Sequence, residues 1–513
     1  MTPSKPALPA FRDLPSLIAE HARRTPDAPA LRMDAQIVSY AELNAQIDRV
    51  AAALQREGAQ PQQAIAICAG TSTAYIATFI GAQRAGLAVA PLAPSCTPQQ
   101  IADMIKDSGA QRFFADAAVL QALADGGFEA ASLPPITRLD ADFERWLAPV
   151  GRQPEPVQID PAWPFNIIYS SGTTGTPKGI VHAHQMRWAH IQRAPLIGYA
   201  SDSVTMIATP LYSNTTLVAV IPTLALGGCV VLMAKFDARR YLELAQAHRA
   251  THTMLVPVQY QRLMSHADFD RYDLSSFRMK TCTSAPFHAA LKADVLTRWP
   301  GGLIEYYGMT EGGGTCILMA HLHPTKLHTV GQPAEGHDMR LIDEDGHEVG
   351  PGEAGEVVGR SISMMSGYLN LPEKTREAEW YDAQGLRFIR TGDVGRFDAE
   401  GFLILFDRRK DMVISGGFNI YPSDLEAVLR GHADVADAAV VGVPSVEWGE
   451  TPVAFVVLRE GAAATPEAIR QWCNDQVGKT QRLSAVRAVA ELPRSAIGKV
   501  LKRELRDGWQ AVA

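Results

Sequence analysis

The chain has 513 residues, 47% hydrophobic and 20% charged, with a formal net charge of −7. That length suits about three domains, and the composition is globular rather than disordered or fibrous. The acidic balance and the lack of a long basic run speak against a nucleic-acid partner. The six cysteines (Cys68, Cys96, Cys229, Cys282, Cys316 and Cys473) form no C-x-x-C pair. They read as free thiols in a reducing compartment rather than a zinc site or disulfide framework.

The N-terminal run M-T-P-S-K-P-A-L-P-A-F has no apolar core after its lysine and does not read as a signal peptide. The most membrane-like stretch, Leu217 to Ala234, is interrupted by Pro222, Thr223 and Gly227-Gly228. It reads as a buried helix, a turn and a strand, not a membrane span. A cytoplasmic location is the expectation.

Ser39-Tyr40-Ala41-Glu42 has capping-box spacing, which predicts a helix to about Glu57 with Leu43, Ile47, Val50 and Leu54 on its apolar face. A short buried strand at Ile65 to Cys68, a helix from Thr73 to about Ala85 and a strand near Leu87 to Leu92 follow. The order recurs later as strand Val204 to Ala208, helix near Thr216 to Leu226 and strand Cys229 to Met233. Alternating strands and helices predict an α/β fold with a parallel sheet covered by helices. The repetition suggests two related lobes.

Residues 150–163 are a proline-punctuated approach to the stretch Tyr169 to Gly179, Y-S-S-G-T-T-G-T-P-K-G. The apolar run Phe165, Ile167 and Ile168 precedes it, so it reads as a buried strand opening into a loop. Gly172, Gly175 and Gly179 allow tight turns and close approach to a ligand. The N–H groups of such a loop suit anions. Ser170, Ser171, Thr173, Thr174 and Thr176 add hydroxyl donors, and Lys178 adds a positive charge. The stretch is suited to a polyphosphate. It is not a G-x-x-x-x-G-K-[ST] loop, because Pro177 stands in place of the second glycine.

Beyond residue 330, glycines interrupt short apolar runs such as Met339 to Ile342 and Glu356 to Val358, predicting a turn-rich β region. Near residue 407 the charge run Asp407 to Asp411 follows apolar Phe402 to Phe406 and reads as a solvated turn. After it come a helix at Ser423 to Leu429, strands at Ala438 to Val443 and Val453 to Leu458, and a helix at Pro466 to Val477. The expectation is a domain of residues 1–406, a hinge at Asp407 and a small α/β domain of residues 407–513.

The order Y-S-S-G-T-T-G-T-P-K-G resembles the phosphate loop of the adenylate-forming superfamily: acyl-CoA synthetases, peptide-synthetase adenylation domains and beetle luciferases. Three further stretches extend the resemblance in the superfamily's order, spanning residues 169–499 in all. Tyr307-Gly308-Met309-Thr310-Glu311 is similar to its Y-G-x-T-E motif. The resemblance implies that Tyr307 lies against adenine, Thr310 faces the α-phosphate and acyl carboxylate, and Glu311 helps hold Mg²⁺. An aromatic face suits a purine, and a hard cation wants a carboxylate oxygen. Ser284-Ala285-Pro286 stands where relatives wrap the adenine and acyl pocket. Arg390-Thr391-Gly392-Asp393 implies that Asp393 receives the ribose hydroxyls, with Arg408 reaching the same ribose. Pro493 to Lys499 places Lys499 where the superfamily has its catalytic lysine, beside a permissive Gly498.

What the resemblance implies is a two-step reaction. A carboxylate attacks the ATP α-phosphate to give an acyl adenylate and pyrophosphate; a thiol then displaces AMP. The protein positions the reactants and stabilises spreading charge. Between steps the small domain would turn about Asp407, withdrawing Lys499 and presenting Ser415-Gly416-Gly417 to a pantetheine arm.

Amino-acid adenylation domains carry an acid that pairs with the substrate amine; here the matching stretch is Pro210-Leu211-Tyr212-Ser213-Asn214, with none. A buried unpaired ammonium costs about 3–5 kcal/mol, so amino acids are disfavoured. Many acyl-CoA synthetases have histidine where this chain has Ser213, which points to an altered, more polar acyl pocket bordered by Tyr212, Ser213 and Gly308. The expectation is therefore an ATP-, Mg²⁺- and coenzyme A-dependent acid–thiol ligase for a fatty or small substituted acid. The alternative is a ligase that loads a free carrier protein. A non-catalytic nucleotide-binding relative would be expected to lack Lys499 or Glu311. Pro493 to Lys499, of the form P-x-x-x-x-G-K, resembles the segment that bacterial lysine acetyltransferases recognise in acyl-CoA synthetases, which implies such an enzyme acting on Lys499.

Overall fold

The computed structural model describes residues 10–170, 177–408, 411–415, 418–445, 448–478, 481–495 and 498–510. Two large sheets organise most of the chain. One has seven strands, in the order Gly367–Tyr368, Gly179–Ala183, Pro164–Tyr169, Ala88–Pro91, Ala64–Cys68, Ala110–Ala115 and Ile136–Arg138. The other has nine, with Gly302–Gly308, Met279–Cys282, His252–Leu255, Val204–Ile207, Cys229–Leu232 and Pro29–Met33 as consecutive parallel neighbours. Antiparallel strands Thr315–Met319, Gln332–Pro333 and Gln36–Ser39 flank that parallel block.

Period-two alternation explains how both faces of the sheets are buried. Ile65 and Ile67 enter one core, while Ala64, Ala66 and Cys68 enter another. The first core is shared by both sheets. It takes Val89 and Phe165 from one, Leu31, Ile207 and Val230 from the other, and the helices Tyr40–Arg56 and Thr73–Arg84 between them. Those helices meet closely. A Cβ placed on Gly81 would lie 2.5 Å from Val50 Cβ, so only glycine fits there. Ser39 caps the first helix through the reciprocal box with Glu42 that the spacing predicts.

The turn-rich region forms an antiparallel sheet of Asp338–Ile342, Gly355–Arg360, Arg387–Phe397, Glu379–Tyr381 and Leu403–Arg408. Asp407 and Arg408 end that last strand instead of starting a free turn: the backbone ladder pairing Asp393 with Arg408 continues through the charged residues. After it, Val413–Ser415, Phe418–Ile420, Val435–Ser445, Gly449–Leu458 and Ala485–Val489 build a fourth sheet. Helices Pro422–Arg430 and Pro466–Asn474 pack on it around Leu425, Leu429, Val440 and Ile469.

Two expectations are amended. The strand before the phosphate loop turns back into antiparallel Gly179–Ala183, so the seven-stranded sheet is mixed. The helix near Thr216 begins at Asn214, because Ser213 caps it, its Oγ accepting from Thr215 N at 3.3 Å. Pro222 lies inside that helix. Among the described residues no helix is long and apolar enough to cross a membrane.

Candidate active site

Four adjacent parallel strands of the nine-stranded sheet end on one edge, where ligands bind in open α/β sheets. Val204–Ile207 leads to Tyr212 and Ser213, and His252–Leu255 leads to the helix Pro257–Met264. Met279–Cys282 leads to Ser284-Ala285-Pro286, and Gly302–Gly308 carries Tyr307 and Gly308 into Thr310 and Glu311. Cross-links fix these ends to one another. Thr215 Oγ1 and Ser284 Oγ are 2.6 Å apart, Thr283 Oγ1 donates to Tyr306 O at 2.9 Å, and Gln259 Nε2 donates to Ala208 O at 2.8 Å. Ser284 holds a positive φ of 82°, an uncommon conformation for a residue with a side chain.

The phosphate loop joins from the other sheet. Ser170 N donates to Lys178 O at 3.0 Å and Lys178 N to Ser170 Oγ at 3.4 Å, closing the loop's mouth. Ser171, Gly172, Thr173, Thr174 and Gly175 lie outside the described residues. Lys178 Nζ sits 4.3 Å from the centre of the Tyr368 ring, and Tyr368 Oη donates to Glu311 Oε1 at 2.8 Å. Tyr368 thus holds both the loop lysine and the candidate metal carboxylate. It arrives because Gly367–Tyr368 pairs with Gly179–Ala183, and Met365 N also donates to Glu311 O at 2.8 Å. The pinned Glu311 carboxylate, a hard oxygen donor beside the loop, fits a Mg²⁺ ion.

A buried polar relay ties the two sheets together behind Thr310. Arg187 donates through Nε and Nη2 to Asn166 Oδ1 at 3.1 and 2.7 Å, and its Nη2 lies 3.0 Å from His182 Nδ1. His182 Nδ1 is therefore an acceptor, and Nε2–H donates to Thr310 O at 2.7 Å. Burial and the neighbouring guanidinium drive His182 well below its ordinary value, so it stays neutral. Burial lowers Arg187 to about 9.

On the opposite side, Tyr307 Oη donates to Asp393 Oδ2 at 2.8 Å. Burial, then the Asp393 charge, raises the Tyr307 phenol well above its usual range. Asp393 is set by its own turn: its N–H reaches Thr391 Oγ1 at 3.0 Å, Gly392 takes φ 71°, and Arg390 pairs with Glu356. Arg408 faces Asp393 across the backbone ladder.

The segment bearing Lys499 is an antiparallel turn in which Arg494 pairs with Val500. Ser495 N donates to Lys499 O at 2.8 Å, Lys499 N to Ser495 Oγ at 3.2 Å, and Arg494 Nη1 to Gly498 O at 2.6 Å while Arg494 also pairs with Asp437. Gly498 takes φ 77°, and a Cβ there would lie 2.7 Å from Val258 Cγ1. The small domain's turn therefore rests on Val258, in the first turn of the helix that follows strand His252–Leu255. Gly416 and Gly417 lie outside the described residues.

The motif residues that are described thus meet on one edge. Sequence reasoning missed Tyr368, His182 and Arg187. His182 and Arg187 stand within fifteen residues of the phosphate loop and carry a readable signal, polar groups in an apolar strand and helix; Tyr368 has no local signature.

Residues 18–369 match the AMP-binding enzyme family and residues 424–499 the AMP-binding enzyme C-terminal domain. The chain is 33% identical over 496 residues to a feruloyl-CoA synthase of Amycolatopsis sp, covering 94% of this chain and 96% of that protein. It is 29% identical over 512 residues to the fatty acid–[acyl-carrier-protein] ligase ScoC of Streptomyces coeruleorubidus, covering 97% of each. Among solved structures, ATP-bound MatB from Rhodopseudomonas palustris superposes with a TM-score of 0.89 at 27% identity, covering 98% of this chain and 100% of that one. The chain belongs to the AMP-binding enzyme family.

Proposed function

We infer that this family member is an ATP-dependent, AMP-forming acid–CoA ligase. The carrying observation is the convergence on one sheet edge of Lys178, the Tyr368-held Glu311, the Tyr307–Asp393 pair and the turn bearing Lys499. The feruloyl-CoA synthase relative supports coenzyme A as acceptor. Its name also favours a substituted acid, in keeping with the hydroxyls of Ser213, Thr215 and Ser284 near the strand ends.

Tyr307 and Ser284-Ala285-Pro286 enclose adenine, Asp393 and Arg408 take the ribose, and the 170–178 loop takes the phosphates. Thr310 receives the reacting carboxylate and the α-phosphate, its backbone held by neutral His182. Glu311 would hold Mg²⁺, which would supply positive charge against the phosphate oxygens. Lys499 neutralises charge building on the carboxylate and α-phosphate as pyrophosphate leaves. Domain 407–513 then turns about Asp407, and Gly416-Gly417 guide the pantetheine arm. The six unpaired cysteines favour a reducing, cytoplasmic setting. Lys499, accessible when the small domain swings out, is a target for a lysine acetyltransferase, and acetylation removes the charge the first step uses.

A second reading has a specific support: the carrier-protein ligase relative. Acid-dependent pyrophosphate exchange, followed by acceptor competition between coenzyme A and a holo carrier protein, decides. Thioester on coenzyme A supports the proposal; thioester on the carrier alone overturns the acceptor.

A further inference from the structure

The helix His184–Arg193 leaves the phosphate-loop hairpin, and the Arg193 charge at its end acts on the Tyr306 phenol of the strand Gly302–Gly308. At its foot His182 holds Thr310 O, and a Cβ on Gly312 would lie 3.2 Å from Met186 Cε. Arg187, His190 and Arg193 recur every three residues, so they share one side of the helix over about 9 Å of rise. Strand alternation sends Tyr306 away from Tyr307 and Asp393, toward the first core and the Arg193 guanidinium, which pulls against its burial-raised phenol.

At the far end Arg193 Nη1 donates to His337 Nε2 at 2.6 Å and Nη2 to Glu335 O at 3.2 Å. Burial, then Arg193, lowers His337 to about 4. The ring is neutral at pH 7, and because Nε2 accepts, Nδ1 carries the proton. That N–H is buried and has no partner, and neither has His190 Nδ1. Burial, then Arg187, Arg193 and His337, lowers His190 to about 3. The carboxylate that acts on Arg193 is that of exposed Glu335, whose backbone O Arg193 also meets. Tyr306, His190, Arg193 and His337 are each half-buried. This end of the helix thus has a buried donor, His337 Nδ1, without an acceptor. A buried unpaired donor costs about 1–3 kcal/mol unless a ligand supplies the acceptor.

We propose that Arg193 and His337 bind an oxygen at the far end of the acid. The preferred substrate is then elongated, with a second oxygen acceptor on the order of 9 Å from the reacting carboxylate at Thr310. The inference rests on the ligase reading. A para-oxygenated arylpropenoic acid and a medium α,ω-dicarboxylic acid share this chemistry.

Pyrophosphate exchange with two matched pairs separates them: cinnamate against 4-hydroxycinnamate, and octanoate against octanedioate. The expected result is a kcat/KM ratio of at least about tenfold for the oxygenated member of one pair, which also names the source. Arg193→Met and His337→Phe should each bring that ratio to within about threefold of one. Because each ratio is internal, partial misfolding of a variant cancels. Ratios near one for both pairs in the unaltered enzyme, or a ratio that survives both substitutions, would overturn the inference. Exchange with none of the four acids contradicts the ligase reading itself.

Discussion

Tyr307 Oη donates to Asp393 Oδ2 at 2.8 Å, joining a residue at the end of the nine-stranded sheet to one in the turn-rich sheet 86 residues later. The bond fixes the ring that would face adenine and sets the carboxylate that would meet the ribose hydroxyls. Asp393→Asn keeps the shape and removes the charge; KM for ATP should rise about tenfold, equivalent to about 1.4 kcal/mol. Tyr307→Phe keeps the ring and should cost about threefold less than Asp393→Asn. Unchanged ATP KM in both variants would remove the pair from the nucleotide site.

Tyr368 bridges Lys178 and Glu311. Tyr368→Phe keeps the ring under the lysine but frees Glu311, so the Mg²⁺ concentration for half-maximal exchange should rise severalfold. Tyr368→Ala also removes the cation–π contact, worth about 0.5–2 kcal/mol, and should lower exchange further. Equal effects from both variants would show that the hydroxyl alone matters.

Arg187 serves Asn166 and His182, and through His182 the Thr310 carbonyl. Arg187→Met leaves Asn166 Oδ1 buried without its Arg187 donors, while His182 Nδ1 keeps the Asn166 amide, and this should destabilise the protein by about 1–3 kcal/mol in denaturant titration. It should also lower exchange. A midpoint unchanged from the parent would mean that the relay carries no load.

Burial is the chief cause lowering seven histidines among the described residues: His184, His252, His288 and His337 to about 4, His190 to about 3, His182 well below its ordinary value and His248 below it. Unfolded, each binds a proton near pH 6.5. Their stabilising contribution is complete above pH 6.5 and is lost as pH falls toward 4, because the unfolded chain then binds more protons. Each adds a slope of up to about 1.4 kcal/mol per pH unit. The thermal midpoint should fall between pH 7.5 and 5.5, and fall less in His184→Phe, whose ring keeps the edge contacts with Phe11 and Phe165. A midpoint steady down to pH 5.5 would contradict these shifts.

The α/β architecture was legible because local signals agreed with the tertiary ones. Ser39 and Glu42 announced a helix start, and Ile65 and Ile67 against Ala64 and Ala66 mark a strand buried on both faces. The phosphate loop, Tyr307 to Glu311, Asp393 and Lys499 were legible as short motifs. What joins them was not. Tyr368 reaches Glu311 across 57 residues, His182 reaches Thr310 across 128, and Arg193 reaches His337 across 144. Such contacts are decided by which strands pair and which helix faces a sheet, and no local spacing records that. The charge run at Asp407 was legible only in part: its pattern suits a turn, yet the ladder to Asp393 carries the strand as far as Arg408.

The central claim is that the enzyme adenylates an acid with Lys499 and then transfers the acyl group without it. Lys499→Ala, assayed in both half-reactions, tests it most directly. Acid-dependent pyrophosphate exchange should fall by about 10²–10³, the loss expected for a stabiliser of transition-state charge. The same variant given preformed acyl adenylate and coenzyme A should still form thioester at near the parent rate. Equal loss in the two assays, or full exchange without the lysine, would contradict the account.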